Sequence, residues 1–225
     1  VDYDNADMDE ECFAALADAF PTLEALVLNG IGEPLMHPGL EGFIRTARAT
    51  MPENASIGFQ TNGQLLNHTH ARSLLKAGLN RVCISVDALD PSLFAAIRAG
   101  GSYGAAEQAI AALCAERGDR QESLAADGHG YGSPSIEIGI EFVAMRQNLT
   151  ELPELVRWAA KQTVDFMLVS HLFPYAPSSM QDAAWDANLD LALLLRRKYE
   201  KRARTLGLEL SQYPEIYMRF NKTAA

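Results

Sequence analysis

VLNGIGEPLMHPGL, running from Val27 to Leu40, decides the reading of this chain. A short apolar strand ends here, Asn29-Gly30 breaks it, and Gly30-Ile31-Gly32-Glu33-Pro34 leads through His37-Pro38 into a helix. Glycine has no side chain and proline fixes φ, so the turn has a bare, stiff backbone whose N–H and C=O groups can come close to a charged ligand. Taken alone, the same turn is simply a tight strand-to-helix connection.

Its neighbours in the sequence change that reading. Ser56-Ile57-Gly58-Phe59-Gln60-Thr61-Asn62-Gly63 follows at the next strand end, then Ile84-Ser85-Val86-Asp87, and later FVAMRQN from Phe142 to Asn148. This ordered set resembles the radical S-adenosylmethionine (radical SAM) superfamily over most of residues 7–175. Its G-x-G-E-P-L-x-x-P, T-N-G and S-V-D segments stand where that family has cofactor-binding strand ends. Together with the M-R-x-N turn they are most similar to the branch holding SPASM-type maturases and the molybdopterin-pathway GTP cyclase. Gly139 occupies the position of a lysine in the cyclase family, which weighs against the cyclase.

Composition narrows the partners. A chain of 225 residues can bury one substantial core, and a net charge of −10 makes a nucleic-acid backbone an unsuitable partner. Asp2, Asp4, Asp7, Asp9, Glu10 and Glu11 precede every basic residue and suit a helix N-terminus. No run is long and apolar enough to span a bilayer and no signal peptide opens the chain, so a soluble, cytoplasmic protein without membrane partners is expected.

Cys12, Cys83 and Cys114 are far apart, with no C-x-x-C pair and no metal-like spacing. They read as reduced thiols. The resembled family holds a [4Fe–4S] cluster on a C-x-x-x-C-x-x-C loop ahead of the helix that precedes G-x-G-E-P, and such ligation needs thiolates. Because the chain starts at Val1, already entering that helix, the first strand and the cluster loop are expected to precede it.

Hydrophobic periodicity predicts a helix from Asp7 to Phe20, opened by Asp7 with Glu10 and ended by Pro21. Strands follow at 23–29, 56–60, 81–86, 135–144 and 164–172, separated by helices. Asn67 caps one of these and Gly78 ends it, while Ser102 caps another that runs to about Glu116. Residues 117–134 lack periodicity and are expected to be a mobile surface excursion. A long helix to about Leu206, with a basic cluster from Arg196 to Arg204, and a short strand at 208–211 complete the reading. The basic cluster reads as a solvated helix face or as a docking point for an acidic reductase.

Strands alternating with crossover helices imply a parallel sheet. The expected fold is therefore α/β, a partial (β/α)6 TIM-like barrel with its first strand missing. It covers residues 1–212, and 213–225 begin a linker to a further domain. Parallel strands bring their carboxyl ends to one rim, and every candidate position falls on that rim.

The resemblance implies specific roles. The main chain of Gly30, Ile31, Gly32, Glu33 and Pro34 would hold the methionyl ammonium of S-adenosylmethionine, with Glu33 adding charge or orienting the turn through backbone N–H groups. Asn62 is a ligand contact or a turn residue. Ser85 and Asp87 would reach the ribose or carboxylate, or else cap a helix. Leu172 and Phe173 would flank adenine or are ordinary strand-end packing. Glu137 and Glu141 share one face of their strand and are substrate-cavity candidates with Arg146, facing the cavity or bonded to Arg81, Arg146 or Ser85. No catalytic residue or metal ligand is assigned, and among the histidines only His171 lies near a strand end.

The activity implied by the resemblance is reductive cleavage of S-adenosylmethionine at a [4Fe–4S] cluster, giving a 5′-deoxyadenosyl radical that abstracts a substrate hydrogen atom. Peptide, protein or cofactor maturation is the expected setting, with a small-molecule or peptide substrate and an electron donor such as a flavodoxin-type reductase. Without the cluster cysteines the 225 residues alone are expected to be inactive. An exposed sheet edge would favour self-association. The competing reading is a cluster-less barrel that acts as a binding or scaffold module.

Overall fold

The computed structural model describes residues 7–126, 136–172 and 216–219. The segment expected as one helix from Asp7 is instead a five-residue α1, Glu10–Ala14, followed by a 3-10 helix, Ala17–Thr22, with Pro21 inside it. Asp9, not Asp7, caps α1, its carboxylate accepting from the Cys12 N–H at 2.7 Å. Rewinding turns Phe13 and Phe20 together into the core, their centroids 5.4 Å apart, and leaves Leu16 exposed.

Six strands follow in the order β1 Ala25–Val27, β2 Ser56–Thr61, β3 Arg81–Ser85, β4 Glu137–Ala144, β5 Phe166–His171 and β6 Ile216–Arg219. Neighbours from β1 to β5 pair in parallel, as the alternation of elements requires. The last strand, β6, runs antiparallel to β5 and lies within the stretch expected to be linker. The strand expected at 208–211 and the helix carrying the basic cluster lie outside the described residues.

Helices α2 Leu40–Thr50, α3 His68–Ala77, α4 Pro91–Ile97, α5 Tyr103–Ala126 and α6 Leu152–Lys161 make the crossovers. The capping signals are realised: Asn67 accepts from the His70 N–H, and Gly78 closes α3 at φ +108. A Cβ at Gly78 would sit 2.6 Å from the Arg48 side chain, so close approach adds to the backbone demand for glycine. Residues 117–126, expected to begin the aperiodic excursion, continue α5 instead. Arg117 anchors that continuation, buried against Asp165 at 2.7 Å.

The two faces of the sheet differ. Val82, Ile84 and Val86 on β3 and the segment after it, Ile138, Ile140 and Phe142 on β4, and Met167 and Val169 on β5 are buried with the helices in one core. The other face carries Arg81, Cys83 and Ser85, then Glu137, Gly139 and Glu141, with polar groups in partial burial. This is an incomplete barrel whose inner wall is chemically mixed. No helix among the described residues is long and apolar enough to cross a membrane.

Candidate functional site

The site begins at the glycine turn. A Cβ built on Gly30 or Gly32 meets nothing within 4 Å, and Ile31 is 87 % exposed, so the main chain here borders open space. Glu33 holds the turn in place. Its Oε1 accepts from the Leu35 N–H at 3.1 Å and the Thr61 hydroxyl at 2.6 Å, and its Oε2 from the Asn62 N–H at 2.8 Å. Of the two roles open to Glu33, this geometry is the orienting one. It also ties the G-x-G-E-P loop to T-N-G.

A second tie lies beside it. Asn29 Oδ1 accepts from the Gln60 N–H at 2.8 Å, and Asn29 Nδ2 donates to Gln60 Oε1 at 2.9 Å. Asn62 accepts from the Gln64 N–H at 2.9 Å, an Asx turn, which is its turn-forming role. Gly63 follows at φ +74, where a side chain would be strained and would press on Ile84 and Ala109.

At the end of β3, Ser85 pairs in register with Glu141 and is buried. Asp87 is 1 % exposed and both its oxygens are engaged: Oδ2 by Arg98 Nε at 2.6 Å and Oδ1 by the Val143 N–H at 2.7 Å. Asn148, fully buried, donates to the carbonyls of Asp87 at 3.0 Å and Val143 at 2.9 Å and accepts from the Met145 N–H at 2.7 Å. Glu151 accepts from the N–H groups of Leu89 and Asp90. The segment after β3 is thus fastened to the turn after β4, and the other N–H groups of Arg98, 27 % exposed, are left without a partner among the described residues.

Along the inner wall, Glu137 pairs with Arg81 at 2.7 Å, one of the partners expected for it. Glu141 accepts from the Ser170 hydroxyl at 3.2 Å. Burial, reinforced by the nearby Glu141 carboxylate, pushes the Cys83 thiol well above its ordinary pKa and leaves it an inert wall group. Arg146 is exposed in the turn after β4, and Leu172, half-buried, extends the β4–β5 ladder by donating its N–H to Ala144 at 3.3 Å. Phe173 lies outside the described residues, and of the His171 side chain nothing is described.

Comparison with known proteins agrees with the motifs. A family model described as "Radical SAM superfamily" matches residues 7–125. The chain belongs to the radical SAM superfamily. It is 30% identical over 200 residues to the tungsten-containing aldehyde ferredoxin oxidoreductase cofactor-modifying protein of Pyrococcus furiosus, covering 88% of this chain and 52% of that protein. It is also 30% identical over 194 residues to pre-heme d1 synthase of Dinoroseobacter shibae, covering 82% of this chain and 42% of that one. The chain therefore spans about half the length of these curated relatives. Coproporphyrinogen III oxidase from Escherichia coli shares the fold, with a TM-score of 0.61 at 12% identity over 93% of this chain and 46% of that one.

Within this radical SAM chain the turn motifs, with Gln60, Thr61 and Asn148 inside them, were legible, but the long-range pairs that fix them were not. Thr61, Gln60, Arg98, Asn148 and Glu151 meet partners 11 to 62 positions away, and no local pattern announces such pairs. Asn148 carried a faint signal, as a small amide closing a turn directly after a strand. Among the described residues no three histidine, cysteine or carboxylate groups gather as a metal site. Cys12 is exposed, Cys83 buried and Cys114 between, so these thiols do not fit a cluster.

Proposed function

We propose that this chain is the S-adenosylmethionine-binding core of a radical SAM enzyme engaged in cofactor, peptide or protein maturation. The observation that carries the reading is the double use of Glu33, which fastens a bare-backbone turn to the T-N-G strand end on the rim that Ser85 also borders. S-adenosylmethionine presents an ammonium, a carboxylate and a ribose diol, and this rim offers matching groups. Carbonyls of Gly30 to Pro34 accept from the ammonium. The N–H groups of Arg98 that Asp87 does not take, together with the Ser85 hydroxyl, hold the carboxylate or ribose side. Leu172 borders the adenine.

A [4Fe–4S] cluster, if bound beside S-adenosylmethionine, would supply one electron that splits the sulfonium into methionine and a 5′-deoxyadenosyl radical able to abstract a hydrogen atom. The contribution of this chain is orientation and exclusion of water. Glu141, steadied by Ser170, and Arg146 border the space for a small-molecule or peptide substrate. A flavodoxin-type reductase is the proposed electron donor. The maturation setting draws support from the two relatives, whose names specify cofactor modification and heme d1 synthesis.

Calorimetric titration of S-adenosylmethionine into the anaerobically reconstituted full-length protein tests the reading. Saturable binding is expected, weakened about tenfold by Ser85→Ala and by Arg98→Ala, as for loss of one strong hydrogen bond. Absence of binding in the reconstituted protein would leave the barrel as a scaffold or binding module.

A further inference from the structure

On the inner wall, Gly139 of β4 pairs with Cys83 of β3 on one side and Phe166 of β5 on the other. A Cβ at Gly139 would fall 2.1 Å from Cζ of Phe166, within the volume of the ring itself. The ring, 2 % exposed, therefore fills the space that any other residue at 139 would take. Its face is covered in turn by the Arg81 guanidinium, 4.2 Å from the centroid, and Glu137 fixes that guanidinium at 2.7 Å. One side chain from β5 thus crosses β4 to reach β3.

These residues lie toward the amino ends of their strands. Toward the carboxyl ends the β4 and β5 part of the same wall opens: Glu141, Leu168 and Ser170 are only half-buried, while Ser85 of β3 stays buried and Cys83 beneath it is 6% exposed. The filled layer is Gly139–Phe166, which lies between the half-buried Arg81–Glu137 pair on its amino side and the half-buried Glu141 on its carboxyl side. We infer that Phe166, seated in the gap at Gly139 and clamped by Arg81, is the floor of the substrate chamber, and that position 139 sets how deep a substrate enters.

The chemistry of the floor restricts the substrate. Arg81 covers the ring face and the ring is 2% exposed, so an incoming group meets Leu168 rather than a stacking surface. The Glu141 carboxylate and Ser170 hydroxyl stand above. This lining does not suit a stacked aromatic. The word "substrate" rests on the function proposed above; the position of the floor does not.

Cys83 is a native reporter of the floor. In a Cys12→Ser/Cys114→Ser background, its modification by maleimides of increasing N-substituent size is timed for the native residue and for Phe166→Ala. Slow labelling is expected with Phe166 in place, and labelling faster by about tenfold or more, most of all for the smallest reagent, without it, since thiol reactivity follows exposure. Phe166→Leu gives a milder opening should the alanine variant fail to fold, and Gly139→Ala should act in the same direction by displacing the ring. Native labelling rates in Phe166→Leu and Gly139→Ala, with native circular dichroism, would overturn the inference. The assay needs no S-adenosylmethionine. A chain that labels as stated keeps its floor even if it binds none, and a chain that binds it but never labels loses the floor.

Discussion

Glu33 and Asn62, 29 positions apart, are joined by a 2.8 Å hydrogen bond from the Asn62 N–H to Oε2, while Oε1 takes the Thr61 hydroxyl. A turn with two bare glycines has little packing of its own, so this carboxylate, beside the Asn29–Gln60 pair, fixes its place relative to β2. Glu33→Ala removes the acceptor for three donors and should lower stability by about 1–3 kcal/mol, read as a reduced urea midpoint. Hydrogen exchange at the Leu35 and Asn62 amides should accelerate beyond the change in global stability. Unchanged exchange at both amides would show that the turn is held by other means.

Asn148 has no contact with the rim surface, yet it decides where the segment after Ser85 lies. Its side chain satisfies two carbonyls and one N–H in a fully buried spot. Asn148→Ala strands those groups and should cost about 3 kcal/mol, whereas Asn148→Asp, which cannot donate and buries a charge, should be worse. In the reconstituted full-length protein, Asn148→Ala should also weaken S-adenosylmethionine binding through displacement of Asp87 and Arg98. A stability loss with native affinity would confine Asn148 to folding.

Local signals carried the reading of the fold a long way. The caps at Asn67 and Gly78, the apolar face of α2 and the difference between the two faces of β3 were all written in short-range pattern. Where long-range packing competed, local pattern misled. Phe13 and Phe20 both had to reach Phe43 or each other, and the predicted single helix was broken to let them. Likewise Arg117 looked like the start of a polar loop because its partner, Asp165, lies 48 positions away. At the site, the turns could be read but not which oxygen of Glu33 or Asp87 meets which donor, since that follows from parallel register.

Arg117 and Asp165 form a pair that is desolvated on both sides, with side chains 9% and 10% exposed. Arg117 also donates to the Thr163 carbonyl, and Asp165 accepts from the Ile138 N–H. Removing one partner leaves a buried charge, so Arg117→Met or Asp165→Asn should each destabilise by about 3–5 kcal/mol. The double variant should recover part of that loss. Additive losses in denaturant unfolding would mean that the two side chains are not coupled.

Glu116 gives the fold a defined acid response. It accepts from Arg72 Nε at 2.9 Å and Nη2 at 3.0 Å and lies 3.3 Å from His68 Nδ1. The Arg72 hydrogen bonds, helped by His68 and opposed by burial, hold its pKa below the ordinary 4.5. For an acid whose folded pKa is depressed, the stabilisation is fully present above the ordinary value and disappears as pH falls through the lowered one. Glu116→Gln should therefore reduce the urea midpoint near neutral pH and flatten the acid limb of the stability profile, with native and variant chains converging once pH has fallen below the lowered pKa. Arg72→Met should reproduce the same flattening, because it removes the principal cause of the shift. Parallel acid limbs for the native chain and Glu116→Gln would show that other carboxylates carry the acid sensitivity.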